Sequence, residues 1–170
     1  MVSGFLGCIR AGAMVCAILA LAAVVDVRPA SAASPALTID GSALGGDVIE
    51  LSIEQLREMP QTTVVTTNEF VDDAVTYRGP LAREVVALLE ADGATSLTMT
   101  AINDFAVDVP MSDVTRYDVI LALEADGKAL SRRGKGPIWL MYPISDNPEL
   151  RGDPVINTRL IWQLIRIEAK

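Results

Sequence analysis

Three basic residues, Arg132, Arg133 and Lys135, lie in one turn with Gly134, just before an apolar stretch. Guanidinium and ammonium groups can grip a phosphate or carboxylate through charge-assisted hydrogen bonds. The alternative is a solvated basic turn, because most charges on a protein surface have no partner. The turn therefore predicts a site for a small anionic ligand, and the solvated turn stays open as the other interpretation.

A polar loop over residues 144–158 follows that stretch and contains Asp146, Asn147 and Arg151. Asp146, Asn147, Glu149 and Asp153 bring several oxygen ligands together within this loop, but a calcium loop needs acidic residues at alternate positions around a glycine and a final glutamate. This loop lacks that spacing. It is typical of a turn rich in Asx residues and proline, and we predict no metal site.

Trp139 and Trp162 lie on the two strands that we expect to be neighbours near the end of the chain. Large aromatic side chains usually serve as packing, and a stacking platform for a ligand is the alternative. We predict no catalytic residue. The candidate ligand-binding residues are Arg78, Asp104, Arg132, Arg133, Lys135, Trp139, Tyr142, Asp146, Asn147, Arg151 and Trp162.

The N-terminus has the organisation of a secretory signal peptide. A mildly basic start closes at Arg10, an uncharged apolar run follows, and Ala30-Ser31-Ala32 forms a small-x-small cleavage site. The apolar run is shorter than the roughly 20 residues that span a bilayer. We therefore predict a signal peptide over residues 1–32, one domain over residues 33–170, a periplasmic or secreted location and no stable membrane span after cleavage.

The composition of the predicted mature chain excludes several kinds of chemistry. The sequence contains no histidine, and its cysteines, Cys8 and Cys16, belong to the signal peptide. No disulfide, thiol nucleophile or imidazole then remains. Without the signal peptide the chain has 12 basic and 21 acidic residues, a net charge of −9. Such a surface repels phosphate backbones, so nucleic-acid binding is not expected.

The elements that must position the candidate residues are mostly strands. β-branched or alternating segments predict strands at residues 62–67, 75–77, 97–102, 105–109, 118–124 and 160–167, with a hairpin turn at Asp126-Gly127. Ser52 and Gln55 form a capping-box pattern for a short helix. One longer helix is expected from Pro80 to Asp92, with an apolar stripe of Leu81, Val85, Leu88 and Leu89. This pattern predicts an α+β fold of mixed sheets.

Five short motifs follow one another between Val64 and Lys170. They are Tyr77-Arg78-Gly79-Pro80-Leu81, Asn103-Asp104-Phe105, Asp126-Gly127-Lys128-Ala129-Leu130, Gly136-Pro137-Ile138-Trp139-Leu140 and Ile161-Trp162-Gln163-Leu164. Their order resembles that of the molybdopterin-binding domain of the sulfite oxidase family. The resemblance implies that domain's fold, and it makes Gly136 to Leu140 a core strand that begins at a Gly-x-Pro turn.

The departures from that family concern the chemistry. Its enzymes hold molybdenum through a cysteine upstream of the Gly-x-Pro-Leu helix, with histidine and arginine around the pterin. Here residues 33–76 contain no cysteine or histidine, and Arg57 is their one arginine. Asn103-Asp104-Phe105 stands where the family has Asp-Gly-Tyr. The resemblance therefore implies the fold more strongly than the activity.

These observations predict an exported, non-catalytic binding or sensing module on a molybdopterin-oxidoreductase-like scaffold. It would bind a small anionic ligand or a partner protein, without a cofactor. The alternative is an oxidoreductase that holds molybdopterin noncovalently. A further alternative is a structural subunit whose edge strand docks onto a membrane-associated sensor or reductase.

Overall fold

The computed structural model describes residues 35–90 and 92–170; the predicted signal peptide lies outside the described residues. The described helices are α1 (Ile53–Glu58), α2 (Ala82–Ala87), α3 (Met111–Arg116) and α4 (Pro154–Arg159). The described strands are β1 (Leu37–Asp40), β2 (Val48–Leu51), β3 (Gln61–Asn68), β4 (Val71–Pro80), β5 (Ser96–Ala101), β6 (Ala106–Pro110), β7 (Ile120–Ala122), β8 (Glu124–Ala125), β9 (Lys128–Ala129), β10 (Trp139–Met141) and β11 (Leu164–Ala169).

A five-stranded sheet has the order β2-β1-β11-β5-β6. Strand β11 lies at its centre, parallel to β1 and antiparallel to β5. Along β5 the buried side chains alternate with half-buried ones, so Leu97, Met99 and Ala101 face the core as their period of two predicts. The predicted hairpin of β5 with the segment beginning at Phe105 is confirmed as the pairing of β5 with β6.

A second sheet has the order β3-β4-β8-β9, and β7 pairs with β10 in a separate two-stranded ladder. The two meet where β4 crosses β7. A Cβ atom added to Gly79 would lie 1.9 Å from the carbonyl oxygen of Leu121. Because no side chain fits in that space, glycine is what lets the two backbones pack together.

The helices are short. The capping box at α1 is confirmed: the Ser52 hydroxyl accepts a hydrogen bond from the Gln55 amide, and the Gln55 side chain accepts one from the Ser52 amide. The longer helix was predicted with the wrong limits. Pro80 belongs to β4, α2 ends at Ala87, and Leu88 is 42% exposed. The reason is that Leu88 bonds to the carbonyl oxygen of Val85, three residues back, which tightens the last turn.

Three other predicted segments differ from the structure. Residues 118–124 form two strands, because β7 pairs with β10 whereas β8 pairs with β4. The closing strand begins at Leu164, not at Leu160, because Gln163 has a positive φ of 53° and Leu160 and Ile161 are both buried. The loop over residues 144–158 contains a 3₁₀ turn and most of α4.

The core fills the space between the sheets. Its largest fully buried side chains include Tyr77, Tyr142, Leu56, Met99 and Ile138. Strands thus dominate and helices are few, as the predicted mostly β, mixed-sheet α+β class requires. None of the helices in the described ranges has the length and apolarity needed to cross a membrane.

Candidate functional site

A cleft of about 290 Å³ opens between two hairpin turns and the segment that links α4 to β11. The β3–β4 turn contributes Phe70, the β5–β6 turn contributes Phe105, and the linking segment contributes Trp162. These three aromatic residues give the cleft its apolar walls. Glu69, Asn103 and Asn157 add polar atoms at its boundary. An apolar cavity with a few polar groups is the usual form of a small-molecule site.

An asparagine side chain accepts a hydrogen bond from the amide of each phenylalanine. The amide of Phe70 donates to Oδ1 of Asn68 (2.9 Å), and the amide of Phe105 donates to Oδ1 of Asn103 (3.3 Å). An asparagine that bonds its own backbone two residues further on closes a tight turn without help from other elements. The tripeptides Asn68-Glu69-Phe70 and Asn103-Asp104-Phe105 therefore share this side-chain hydrogen bond at two sides of one cleft, although their main chains differ, since Asp104 has a positive φ of 64°.

Glu69 supplies the negative charge of the cleft. One of its carboxylate oxygens accepts a hydrogen bond from Nδ2 of Asn157 on α4 (2.9 Å). This bond joins the β3–β4 turn to α4 across the cleft. In the described ranges, none of the ion pairs between 2.6 and 3.7 Å includes Glu69. Within the part of the chain that the structure describes, the Glu69 carboxylate therefore forms no ion pair with a lysine or arginine.

An aromatic cluster lies beside the cleft. The edge of one ring faces the other in the pair Phe70–Trp162, whose centroids are 5.0 Å apart, and in the pair Tyr77–Trp139, at 5.5 Å. Trp139 is buried, and its indole Nε1 donates to the carbonyl oxygen of Leu160 (3.0 Å). Trp139 and Trp162 also form an antiparallel bridge, which confirms that the segments carrying them are neighbours. The two tryptophans therefore pack together, and Trp162 also lines the cleft.

Lys135 completes this cluster. Its Nζ lies 4.5 Å from the ring centroid of Phe70, 4.6 Å from that of Trp139 and 5.4 Å from that of Trp162. Partial burial lowers the pKa of Lys135. The three rings act in the other direction, because a cation over aromatic faces is stabilised in its charged form. The side chain is thus a half-buried ammonium held by aromatic rings.

The three basic side chains of the turn do not converge on one point, as they would need to do to bind one anion together. Arg132 and Arg133 are exposed, whereas the Lys135 ammonium lies on the aromatic rings. The main chain of the turn is fixed by Gln163, whose Nε2 donates to the carbonyl oxygen of Arg132 (2.7 Å). Two arginines of the turn are therefore exposed to solvent, and its lysine packs against the aromatic cluster. Anion binding there stays a prediction.

Tyr142 lies in the core and not at a surface site. Its hydroxyl donates to Oδ2 of Asp113 (2.9 Å), and Arg159 donates to the same oxygen (2.7 Å). Burial raises the pKa of Tyr142, and the neighbouring Asp113 carboxylate raises it further. This network joins the residue that follows β10 to α3 and α4. Its role in the described structure is structural.

The other candidate residues are distributed over the surface. Arg78 lies 3.7 Å from Glu124, and Asp104 occupies a turn position with a φ of 64°. Asp146 and Asn147 line a second, polar cleft near Arg116, away from the aromatic one. Arg151 donates to the main chain of the same loop. Of the predicted set, Trp162 lines the aromatic cleft, and Trp139 and Lys135 lie in the cluster beside it.

Ten residues line the cleft in the described structure, and the sequence-based prediction identified Trp162 alone. Five of the nine that it missed supply aromatic walls, the charge and the amide groups of the cleft. They are Glu69, Phe70, Asn103, Phe105 and Asn157. The signal that could have found four of them is the repeated pattern of asparagine, an acidic residue and phenylalanine at residues 68–70 and 103–105. No local signal points to Asn157, because its position depends on how α4 packs.

The fold has a counterpart among solved structures. The crystal structure of the sulfane dehydrogenase SoxCD from Paracoccus pantotrophus matches with a TM-score of 0.60 and 19% sequence identity. The match covers 78% of this chain and 37% of that chain. At this identity the similarity shows a shared fold. The matched region is little more than a third of the length of that protein.

No curated protein matches the sequence. The family of oxidoreductase molybdopterin-binding domains matches residues 24–145, which is more than half of the chain. The family resemblance predicted from the five motifs is confirmed. The chain belongs to the oxidoreductase molybdopterin-binding domain family.

Proposed function

We propose that this domain binds a small organic ligand in the aromatic cleft and does not carry out molybdenum redox catalysis. The cleft itself is the observation that supports the proposal. Phe70, Phe105 and Trp162 surround a volume of about 290 Å³, and Glu69 and Asn157 stand at its edge. Aromatic walls with a few polar groups bind and orient a ligand.

The residues present do not fit a molybdenum–pterin group. Molybdenum chemistry needs a soft ligand such as thiolate, and Cys8 and Cys16 both precede the predicted cleavage site. The described residues contain no group of three or more histidine, cysteine or acidic residues that could hold a metal ion. If a pterin cofactor occupied the aromatic cleft, its phosphate would be repelled by Glu69, and no lysine or arginine lines the described cleft to bind it. We therefore derive no redox step for this domain.

The molybdenum content of the purified protein tests this proposal. The full-length chain would be expressed with its leader in a host that makes molybdopterin, and purified without a chelator. We expect well below one molybdenum atom per chain by elemental analysis, and no pterin fluorescence after acid denaturation. A family member that retains the cysteine, expressed in the same host, is the positive control. Stoichiometric molybdenum or pterin in this protein would contradict the proposal.

The location and the partner of the domain are part of the proposal. The leader pattern of residues 1–32 supports export to the periplasm or beyond. A membrane-associated sensor or reductase is the partner that an exported binding module would serve. An anionic ligand at the basic turn would rely on Arg132 and Arg133, which are exposed and absent from the ion pairs of the described residues.

A further inference from the structure

We infer that the aromatic cleft takes a small organic cation, namely an amine with an apolar or aromatic body. The inference rests on the proposed function, because it names the ligand class of the same cleft. It differs from the anionic ligand that the basic turn predicts. Two features of the cleft support it, namely its charge and its aromatic rings, and the net charge of the predicted mature chain acts in the same direction.

The charge of the cleft is negative. Glu69 is the one charged residue that lines it in the described structure, and no described lysine or arginine forms an ion pair with that carboxylate. The bond from Asn157 holds the carboxylate at the edge of the cleft. An ammonium group beside Glu69 would gain a charge-assisted hydrogen bond, whereas a carboxylate or phosphate would be repelled.

The aromatic rings favour the same ligand class. Phe70 and Trp162 line the cleft, and both already have an ammonium group, that of Lys135, over their rings at 4.5 and 5.4 Å. The negative face of an aromatic ring attracts cations, most strongly for tryptophan. The apolar body of an amine would pack against the side chain of Phe105, which is 47% exposed.

Two longer-range charges act on such a ligand in opposite directions. The net charge of −9 on the predicted mature chain raises the local concentration of cations around it. The Lys135 ammonium opposes a second cation near the shared rings, although Lys135 itself does not line the cleft. Removing the charge of Lys135 should therefore strengthen amine binding, so a substitution of Lys135 gives a second test of the ligand class.

Three probes of the same shape and different charge test the ligand class. They are 2-phenylethylamine, 2-phenylethanol and phenylacetate, each titrated into the mature domain at pH 7 and low salt. Trp139 and Trp162 are the two tryptophans of the protein, so their fluorescence reports binding at the cleft, and calorimetry gives the dissociation constants. We expect the amine to bind about ten-fold more tightly than the alcohol, and phenylacetate to bind most weakly.

Matched variants assign the effect to the cleft. Glu69→Gln keeps an oxygen that can accept the hydrogen bond of Asn157 and removes the charge; it should weaken amine binding about five-fold and leave the alcohol unchanged. Glu50→Gln makes the same charge change at an exposed position on β2, the edge of the five-stranded sheet, and should leave all three probes unchanged. Lys135→Met should tighten amine binding and weaken phenylacetate binding.

The outcomes separate the inference from the proposed function. Equal affinities for amine and alcohol, or a Glu69→Gln effect on both, would overturn the cation inference and leave a binding cleft in place. Tighter binding of phenylacetate would also overturn it. If none of the probes binds, the inference is wrong and the proposed ligand-binding role of the cleft loses its support, whereas the measurement of molybdenum content still tests the absence of molybdenum catalysis separately.

Discussion

At the scale of single residues, Asp113 is a partly buried carboxylate that receives two hydrogen bonds at one oxygen. Its Oδ2 accepts hydrogen bonds from the Tyr142 hydroxyl and from Arg159, and the exposed fractions of the Asp113 and Arg159 side chains are 14% and 17%. A carboxylate removed from water needs both donors, because leaving it short of partners costs more than a hydrogen bond adds. The three residues therefore act as one unit.

Replacing Tyr142 with phenylalanine should change the response of stability to alkaline pH. Burial and the Asp113 carboxylate raise the pKa of Tyr142, whereas an unfolded tyrosine ionises at about pH 10. Above that pH the unfolded chain has lost a proton that the folded chain keeps, so the free energy of unfolding falls as pH rises. Below it, both states keep the proton and this contribution is constant.

The measurement is urea denaturation of both proteins between pH 7 and pH 11. We expect Tyr142→Phe to be less stable by about 1–2 kcal/mol at pH 7, because Asp113 loses a donor. Its stability should then fall less steeply than that of the parent above pH 10. Tyr77, whose pKa is also raised by burial, keeps part of the slope in both proteins. If the stabilities of the two proteins fell in parallel above pH 10, the pKa of Tyr142 would be the same in the folded and the unfolded chain, and this prediction would be wrong.

At the scale of elements, the contact between β4 and β7 fixes how the two smaller sheets meet. Gly79 lies against the main chain of Leu121, where an added Cβ would be 1.9 Å from the carbonyl oxygen and 2.7 Å from its carbon. The main chain of Leu121 belongs to β7, which is paired with β10, so it has little freedom to move.

Gly79→Ala should therefore destabilise the domain severely, by about 3 kcal/mol or more, because an overpacked backbone contact must displace a strand. Thermal unfolding followed by circular dichroism measures the loss. Gly134→Ala is the matched control, since its nearest contact is the Ser131 hydroxyl at 3.4 Å in an exposed turn. A Gly79→Ala protein as stable as Gly134→Ala would refute this account of the contact.

At this scale, the sequence predicted correctly those elements whose signals come from residues close together in the chain. The capping box at Ser52 and the hairpin of β5 with β6 depend on neighbouring residues, and both are confirmed. The division of residues 118–124 between two ladders depends on β4 and β10, which are distant in sequence. The true start of β11 depends on the turn at Gln163. Tertiary pairing decides such limits, and periodicity does not reveal it.

The candidate site shows the same division. Trp162 and Lys135 could be predicted from the sequence, because aromatic and basic side chains are common in binding sites. Their actual relationship, a lysine over three rings, required the β3–β4 turn to bring in Phe70 from more than sixty positions away. Glu69 and Asn157 are ordinary polar residues in the sequence. They become part of a site only when α4 packs against that turn.

At the scale of the whole molecule, β11 is the strand on which the large sheet depends. It lies between β1 and β5, and Leu164, Ile167 and Ala169 on it are buried. Without it, the β1–β2 pair and the β5–β6 pair would have no sheet in common, and an isolated two-stranded hairpin is at most marginally stable in water.

Deleting residues 164–170 should therefore abolish cooperative unfolding of the domain. We expect the truncated chain to show no sharp thermal transition and no binding of 2-phenylethylamine. Ile165→Ala in the full chain is the control, because that side chain is 38% exposed on the same strand and should change stability by less than about 1 kcal/mol. A truncated protein with a sharp transition would show that the remaining strands fold alone.

The position of β11 also has a consequence for the time course of folding. The ion pair between Asp40 and Arg166 joins residues 126 positions apart, and β11 follows every other described strand along the chain. The β1–β2 and β5–β6 hairpins each form from residues close in sequence. The five-stranded sheet can form only when β11, which is synthesised after both hairpins, pairs with β1 and β5. Folding slows as contacting residues become more distant in sequence. We therefore expect the pairing of β11 with β1 and β5 to be the step that limits the folding rate.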